Sequence, residues 1–257
     1  MRNALINILL PLSILWADGL KSPSAFLGYD LGDHFTYHHR VVSYYEHVAE
    51  NTSNVKIIPY GETYEQRPLI VAVISSDKNM AMLDDLRKDN LKRAGMLKGK
   101  ASKKKVGIVW LSYNVHGNEA NSTEAAMKTL HALADRQNRD TQKWLENTIV
   151  ILDPCINPDG RDRYAHWFRM TANRWPDADP VSREHMEPWP GGRTNHYYFD
   201  LNRDWAWQTQ TESESRIALY NQWLPHIHVD FHEQGINNPY FFAPAAEPFH
   251  EYITEWQ

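Results

Sequence analysis

Cysteine is almost absent from this sequence. Cys155 is the single one among 257 residues, so no internal disulfide can form. It lies where an apolar run turns polar, and because no activating base is evident near it, we expect a buried thiol and not a nucleophile. An excess of positive charge is missing too. The formal net charge is -5, which gives no reason to expect nucleic acid or an anionic membrane as a partner.

Long apolar runs are also missing, apart from one at the N-terminus. Residues 4–16 are almost entirely apolar, but this run is too short to span a bilayer comfortably, and Pro11 interrupts it. Arg2 precedes the run and the small residues Ala17 and Gly19 follow it, an order typical of a secretory signal peptide. We therefore expect residues 1–19 to be a signal peptide, the mature protein to be secreted or periplasmic, and no membrane span to remain.

The remaining chain has the length of one domain, and its apolar residues follow both helical and strand periods. The predicted helices lie at 34–50, 120–135 and about 211–223, and the predicted strands at 55–58, 69–74, 106–111, 148–152 and 226–231. Residues 172–198 show neither period and are predicted to be a loop. Strands that alternate with helices indicate an α/β domain with a mostly parallel sheet, and ligands of such sheets gather at the carboxyl ends of the strands.

A first polar cluster, His116 to Glu119, follows directly after the buried strand 106–111. An imidazole and a carboxylate at a strand end form a ligand pair that zinc accepts. Without further evidence, a surface turn with two solvated polar residues explains the same pattern.

A second cluster occupies the strand 226–231 and the residue after it. His232 falls at the strand end, where it would complete a set of two histidines and one glutamate that leaves a fourth zinc position open. His226 and His228 lie further back and are expected to be packed or hydrogen-bonded, and Asp230 could orient a ligand histidine.

A third cluster lies between the first two. Residues 157–160 read Asn-Pro-Asp-Gly, which predicts a tight turn. Asn202 and Arg203 could begin a helix, but an amide beside a guanidinium is also a good receptor for a carboxylate, which arginine binds in bidentate fashion.

The motifs His116-x-x-Glu119, 157–160, Leu201-Asn202-Arg203 and the late His232 occur in the order found in the zinc metallocarboxypeptidase family, which includes digestive and regulatory carboxypeptidases. The chain resembles that family from about residue 25 onwards, as the N-terminal and central part of its catalytic domain. The resemblance implies a mixed, mostly parallel sheet flanked by helices on both faces. It also implies a Zn2+ cofactor and peptide or protein C-termini as substrates.

The resemblance further implies the role of each matching residue. His116, Glu119 and His232 match the zinc ligands, and Asn202 and Arg203 match the pair that holds the terminal carboxylate of the substrate. Arg193 resembles the catalytic arginine that polarises the scissile carbonyl. Because a variable loop intervenes, Arg174 and Arg183 compete for that last role.

The general base of the family is a glutamate on a strand well downstream of the third ligand, and 25 residues follow His232 here. We therefore expect residues 20–257 to form a catalytic domain that is truncated before its base. Glu233, beside His232, is unusual for the better-known branches. Two alternatives to a carboxypeptidase remain open: a related zinc amidase or deacylase acting on cell-wall peptides, and a non-catalytic peptide-binding module.

Overall fold

A computed structural model describes residues 20–235, 237, 238 and 251. The predicted signal peptide at 1–19 lies outside them. The helices are α1 (Pro23–Leu27), α2 (His38–Asn51), α3 (Asp77–Met80), α4 (Leu83–Arg93), α5 (Asn121–Ala134), α6 (Arg139–Leu145), α7 (Pro158–Thr171) and α8 (Thr211–Trp223). The strands are β1 (Val55–Glu62), β2 (Pro68–Ile74), β3 (Gly107–Tyr113), β4 (Thr148–Asp153) and β5 (Ile227–Phe231). Within this described part, no helix combines the length and apolar character needed to cross a lipid bilayer.

The strands form one sheet in the order β1-β2-β4-β3-β5. The sheet is mixed, as predicted. Among the described strands, two of the four pairings are parallel and two are antiparallel, where a mostly parallel sheet was expected. β3 is parallel to β4 and β5, whereas β2 is antiparallel to β1 and β4. Because β3, β4 and β5 run in the same direction, the residues that follow them emerge at one edge of the sheet.

Helices cover both faces of the sheet, as predicted. On one face, α2 and α5 pack against alternate residues of β2, including Ala72 and Ile74. On the other face, α4 and α8 pack against Val71 and Val73. β2 is therefore buried on both faces. Burial of each valine or isoleucine side chain of this strand typically contributes about 1.5–3 kcal/mol to folding.

The predicted helices and strands are all present, with ends displaced by a few residues, but five helices were not predicted, namely α1, α3, α4, α6 and α7. The tight turn predicted at 157–160 is wrong, because these residues begin α7. The Asn157 side chain accepts a hydrogen bond from the Gly160 N–H, and Pro158 occupies the first helical turn. Asparagine caps helices well and proline suits the first helical position, so the same residues that suggest a turn also start a helix.

Cys155 is free and buried, as predicted. Burial raises the pKa of its thiol to about 12, so the thiolate needed for nucleophilic chemistry is not available near neutral pH.

Candidate metal centre

The loop that follows β3 is held in an unusual backbone conformation by Asn114. This residue has a φ of 60°, in the left-handed region that asparagine tolerates better than most residues. Its side-chain amide donates to the carbonyl oxygens of His116 and Glu119, the latter at 3.0 Å. The Asn114 side chain thereby fixes the backbone on both sides of the segment that carries the two candidate ligands.

His232 follows β5, which pairs with β3 so that Phe231 lies opposite Tyr113. This register brings His232 to the loop after β3. The Nδ1 atom of His116 lies 2.8 Å from Glu119 Oε1, and the Nδ1 atom of His232 lies 3.1 Å from Glu119 Oε2. One ligand atom from each of the three residues lies within 4.8 Å of the others. The structure therefore gathers the predicted ligand set at one point.

The second ring nitrogen of each of these histidines contacts an aspartate. His116 Nε2 lies 3.1 Å from Asp200 Oδ1, and His232 Nε2 lies 3.1 Å from Asp230 Oδ2. A carboxylate accepts hydrogen bonds, so each aspartate can take the proton of Nε2, and Nδ1 is then available to a metal in place of its contact with Glu119. Two such nitrogens facing one carboxylate are a donor set that suits Zn2+, and the aspartates supply the outer contacts that usually accompany zinc-bound histidines.

Within the described residues, the centre is more accessible at one of its histidines than at the other. The side chain of His116 is 4% exposed and that of His232 is 33% exposed. Burial acts to raise the pKa of Glu119, but hydrogen bonds from His116 and from the Glu233 main chain, with the charges of both histidines, outweigh it and lower the pKa. Glu119 is therefore ionised under ordinary conditions, as a metal ligand must be.

The start of α7 packs against the loop that carries His116 and Glu119, here called the ligand loop. The Asn157 side-chain amide donates to the Arg193 carbonyl at 3.1 Å, and the Gly117 N–H donates to the same carbonyl at 3.4 Å. Gly117 packs so closely on α7 that an added Cβ would lie 2.3 Å from the backbone nitrogen of Arg161. Only glycine therefore fits at position 117 of this loop.

Arg193 lies beside the centre. Its Nε and Nη2 atoms donate to Asp200 Oδ2 at 3.2 and 2.9 Å, and Asp200 in turn contacts His116. The Arg193 side chain is 47% exposed. Of the competing arginines, Arg174 stacks its guanidinium over Trp175 at 5.6 Å.

Asn202 and Arg203 lie in a single 3-10 turn, Leu201–Arg203, at whose start the Asp200 side chain accepts from the Asn202 N–H. The Asn202 amide nitrogen lies 3.4 Å from His232 Nε2. Arg203 is exposed, with Nη1 donating to the Asn202 carbonyl. The pair therefore stands beside the centre, and the guanidinium of Arg203 is accessible to a ligand.

The other histidines of the last strand are hydrogen-bonded, as predicted. His226 Nδ1 accepts from the Ile108 N–H, and His228 Nε2 lies 2.9 Å from the Ser112 hydroxyl. Burial lowers the pKa of His228, which is consistent with a neutral, packed imidazole. Phe231 stacks on Tyr113, whereas Ile227 and Val229 of the same strand are exposed.

Glu233 turns its carboxylate to the first turn of α5. Its Oε1 atom accepts from the Asn121 N–H at 2.8 Å, and its Oε2 atom accepts from the Asn121 side chain at 3.2 Å. Its own N–H donates to Glu119 Oε2 at 3.0 Å. Burial raises the pKa of Glu233, against the effect of these hydrogen bonds from Asn121.

Sequence reasoning missed Asn114 and the contact between Asp200 and His116. The sequence did indicate a special role for Asn114, because asparagine tolerates the left-handed backbone conformation and this one directly follows a buried strand. Nothing in the sequence indicated the contact of Asp200 with His116, since the two residues lie 84 positions apart along the chain.

Comparisons with known proteins agree with this fold. The zinc carboxypeptidase family model matches residues 41–224, so the chain belongs to the zinc carboxypeptidase family. The matched range ends before His232. It includes the other five predicted site residues, namely His116, Glu119, Arg193, Asn202 and Arg203. No curated protein matches the chain.

Two solved structures share the fold. Carboxypeptidase A from Helicoverpa armigera is 17% identical with a TM-score of 0.54, and the match covers 85% of this chain and 50% of that one. Thrombin activatable fibrinolysis inhibitor is 15% identical with a TM-score of 0.52, and the match covers 84% of this chain and 49% of that one. The chain thus spans about half the length of these structures, and at such identities they are evidence for the fold alone.

Proposed function

We propose that this protein is a zinc-dependent metallocarboxypeptidase that hydrolyses C-terminal peptide bonds. The observation that carries the proposal is the convergence of His116, Glu119 and His232, each histidine backed by an aspartate, beside exposed arginines that suit a carboxylate. The family to which the chain belongs supports both the metal and the substrate class.

In this proposal, His116 and His232 bind the metal through Nδ1, and Glu119 binds it through its carboxylate. When bound there, zinc lowers the pKa of water and polarises a carbonyl group. Asp200 and Asp230 hold the imidazole rings and keep their protons on Nε2. Among the described residues we assign none to the role of general base.

Arg203 and Asn202 bind the terminal carboxylate of the substrate, and Arg193 stabilises the negative charge that develops on the scissile carbonyl. The position of Arg193, joined through Asp200 to a candidate ligand, supports this assignment over Arg174. A fixed donor aimed at a developing charge typically contributes about 2.7–4 kcal/mol to transition-state stabilisation.

We further propose that the protein is exported and that residues 20–257 belong to the catalytic domain. The support is the order of a basic residue, an apolar run and small residues at the N-terminus. N-terminal sequencing of the protein recovered from the periplasm or the medium tests this proposal. A mature protein that still begins at residue 1 contradicts it.

The test of function uses the full-length protein with peptides that differ only in ending as an acid or as an amide. We expect mass spectrometry to detect release of single residues from the acids, loss of release after treatment with a chelator, and recovery with zinc. Cleavage of cell-wall amides or acylated substrates without release of C-terminal residues would support the amidase or deacylase instead. Peptide binding without zinc-dependent turnover would support a binding module.

A further inference from the structure

Glu233 connects the two chain segments that carry the candidate ligands. It follows His232 directly, and its side chain reaches α5, whose first residue, Asn121, comes two positions after Glu119. Both of its carboxylate oxygens accept hydrogen bonds from Asn121. The main-chain N–H of Glu233 meanwhile donates to the Glu119 carboxylate at 3.0 Å.

The first turn of α5 needs such a partner. Helices begin with N–H groups that have no acceptor inside the helix, and a side chain at the N-cap usually supplies one. The residue at the N-cap of α5 is Ala120, which offers no side-chain acceptor. Glu233 supplies the acceptor from a different part of the chain, and a carboxylate also interacts favourably with the positive end of the helix dipole.

We propose that Glu233 is a positioning residue that clamps the end of β5 to the start of α5 and so fixes His232 relative to Glu119. This proposal rests on the proposed function for the identity of the metal, but the clamp itself consists of hydrogen bonds within the chain. It also gives Glu233 a role other than general base, because both of its carboxylate oxygens accept hydrogen bonds from Asn121.

Three variants of the full-length protein test the clamp. Glu233→Ala removes the acceptor, and Glu233→Gln retains an amide oxygen that can accept from the Asn121 N–H. Glu214→Ala, which removes an exposed carboxylate on α8, is the matched control. Zinc affinity is measured by competition with a chromophoric chelator. Hydrogen exchange of the Asn121 amide is measured in the metal-free proteins.

We expect Glu233→Ala to bind zinc about 10- to 100-fold more weakly, the range typical for residues that orient metal ligands. We also expect its Asn121 amide to exchange faster, whereas Glu233→Gln and Glu214→Ala stay close to wild type in both measurements. An unchanged exchange rate for the Asn121 amide in Glu233→Ala would overturn the clamp.

Two other results would overturn the positioning role. One is Glu233→Ala that unfolds more easily but binds zinc as tightly as wild type. The other is Glu233→Gln that keeps its zinc and its Asn121 protection but no longer hydrolyses peptides, which would identify Glu233 as the base. If the wild-type protein binds no zinc, the proposed function and the ligand-positioning role both fail, while amide exchange still decides whether the clamp exists.

Discussion

His232 Nε2 lies 3.1 Å from Oδ2 of Asp230, two residues earlier in the chain. Because strand residues two apart face the same side, the last strand presents both groups to the same layer. Asp200 holds His116 in the same manner from a different loop. In this arrangement each aspartate can accept the Nε2 proton of its histidine, which leaves Nδ1 available to bind a metal.

Replacing either aspartate should weaken zinc binding. In Asp230→Asn and Asp200→Asn the side chain is neutral and can donate as well as accept, so it no longer selects one histidine tautomer. We expect zinc affinity to fall by about 10- to 100-fold in each variant, measured by chelator competition. The control Asp85→Asn, on the exposed side of α4, should retain wild-type affinity. Unchanged affinity in both site variants would contradict the role assigned to the aspartates.

Arg203→Ala should discriminate between acid and amide substrates. A bidentate contact from arginine to a carboxylate is worth about 1.5–3 kcal/mol, and a C-terminal amide does not receive that benefit. We expect kcat/KM to fall for peptides that end in a free carboxylate and to change little for their amides. Arg174→Ala, an exposed arginine stacked on Trp175, serves as the control. Equal losses on both kinds of substrate would show that Arg203 is not the carboxylate receptor.

Gly117→Ala should disturb the ligand loop. The added Cβ would lie 2.3 Å from the Arg161 nitrogen, so either the loop or the start of α7 must move. Overpacking of this kind typically costs about 1–3 kcal/mol of stability. Gly107→Ala is the matched control, because its Cβ would meet its nearest neighbour at an ordinary 3.7 Å. Denaturant unfolding should show a loss in the first variant alone, and equal stabilities would contradict the packing described here.

Asp153 should make stability depend on pH. Burial raises its pKa to about 7, against the hydrogen bond from Tyr60 and the charge of Arg216, whereas an aspartate in an unfolded chain has a pKa of about 3.9. The folded state therefore binds more protons between these values. The contribution of this titration to the free energy of unfolding is fully present below about pH 4, and it is lost as the pH rises through about 7.

Asp153→Asn removes this titration. We expect its free energy of unfolding, relative to wild type, to increase between pH 4 and pH 8 by an amount on the order of a few kcal/mol. The measurement is denaturant unfolding of both proteins in the presence of a chelator, with Asp85→Asn as the exposed control. A difference between the two proteins that does not change with pH would contradict the assignment.

The fold was largely predictable where apolar residues carry the packing. Val41, Tyr44, Tyr45 and Val48 recur at helical spacing, and all four are buried in α2. The buried face of α7 instead includes Arg161 and Asp162. Arg161 pairs with Glu124, and Asp162 pairs with Arg67, so ion pairs pack this helix together with aromatic contacts such as that of Phe168 with Phe35. A search for hydrophobic periodicity alone does not register the charged part of this packing.

The candidate site was predictable in part for a similar reason. His116 and His232 follow strands that are parallel neighbours, so the topology alone brings them to one edge. Asp200 and Arg193 reach the same edge from a region that carries no period and is long enough to fold in many ways. Their places depend on particular hydrogen bonds, such as those that tie the Arg193 carbonyl to Asn157 and Gly117.

Metal analysis of purified full-length protein tests the central claim most directly. We expect about one zinc ion per chain in wild type and in His39→Ala, which removes an exposed histidine of α2. His116→Ala lacks one of the three ligands, so it should lose its zinc at a chelator concentration that leaves wild type loaded. Zinc that remains undiminished in His116→Ala would contradict the metal centre proposed for this protein.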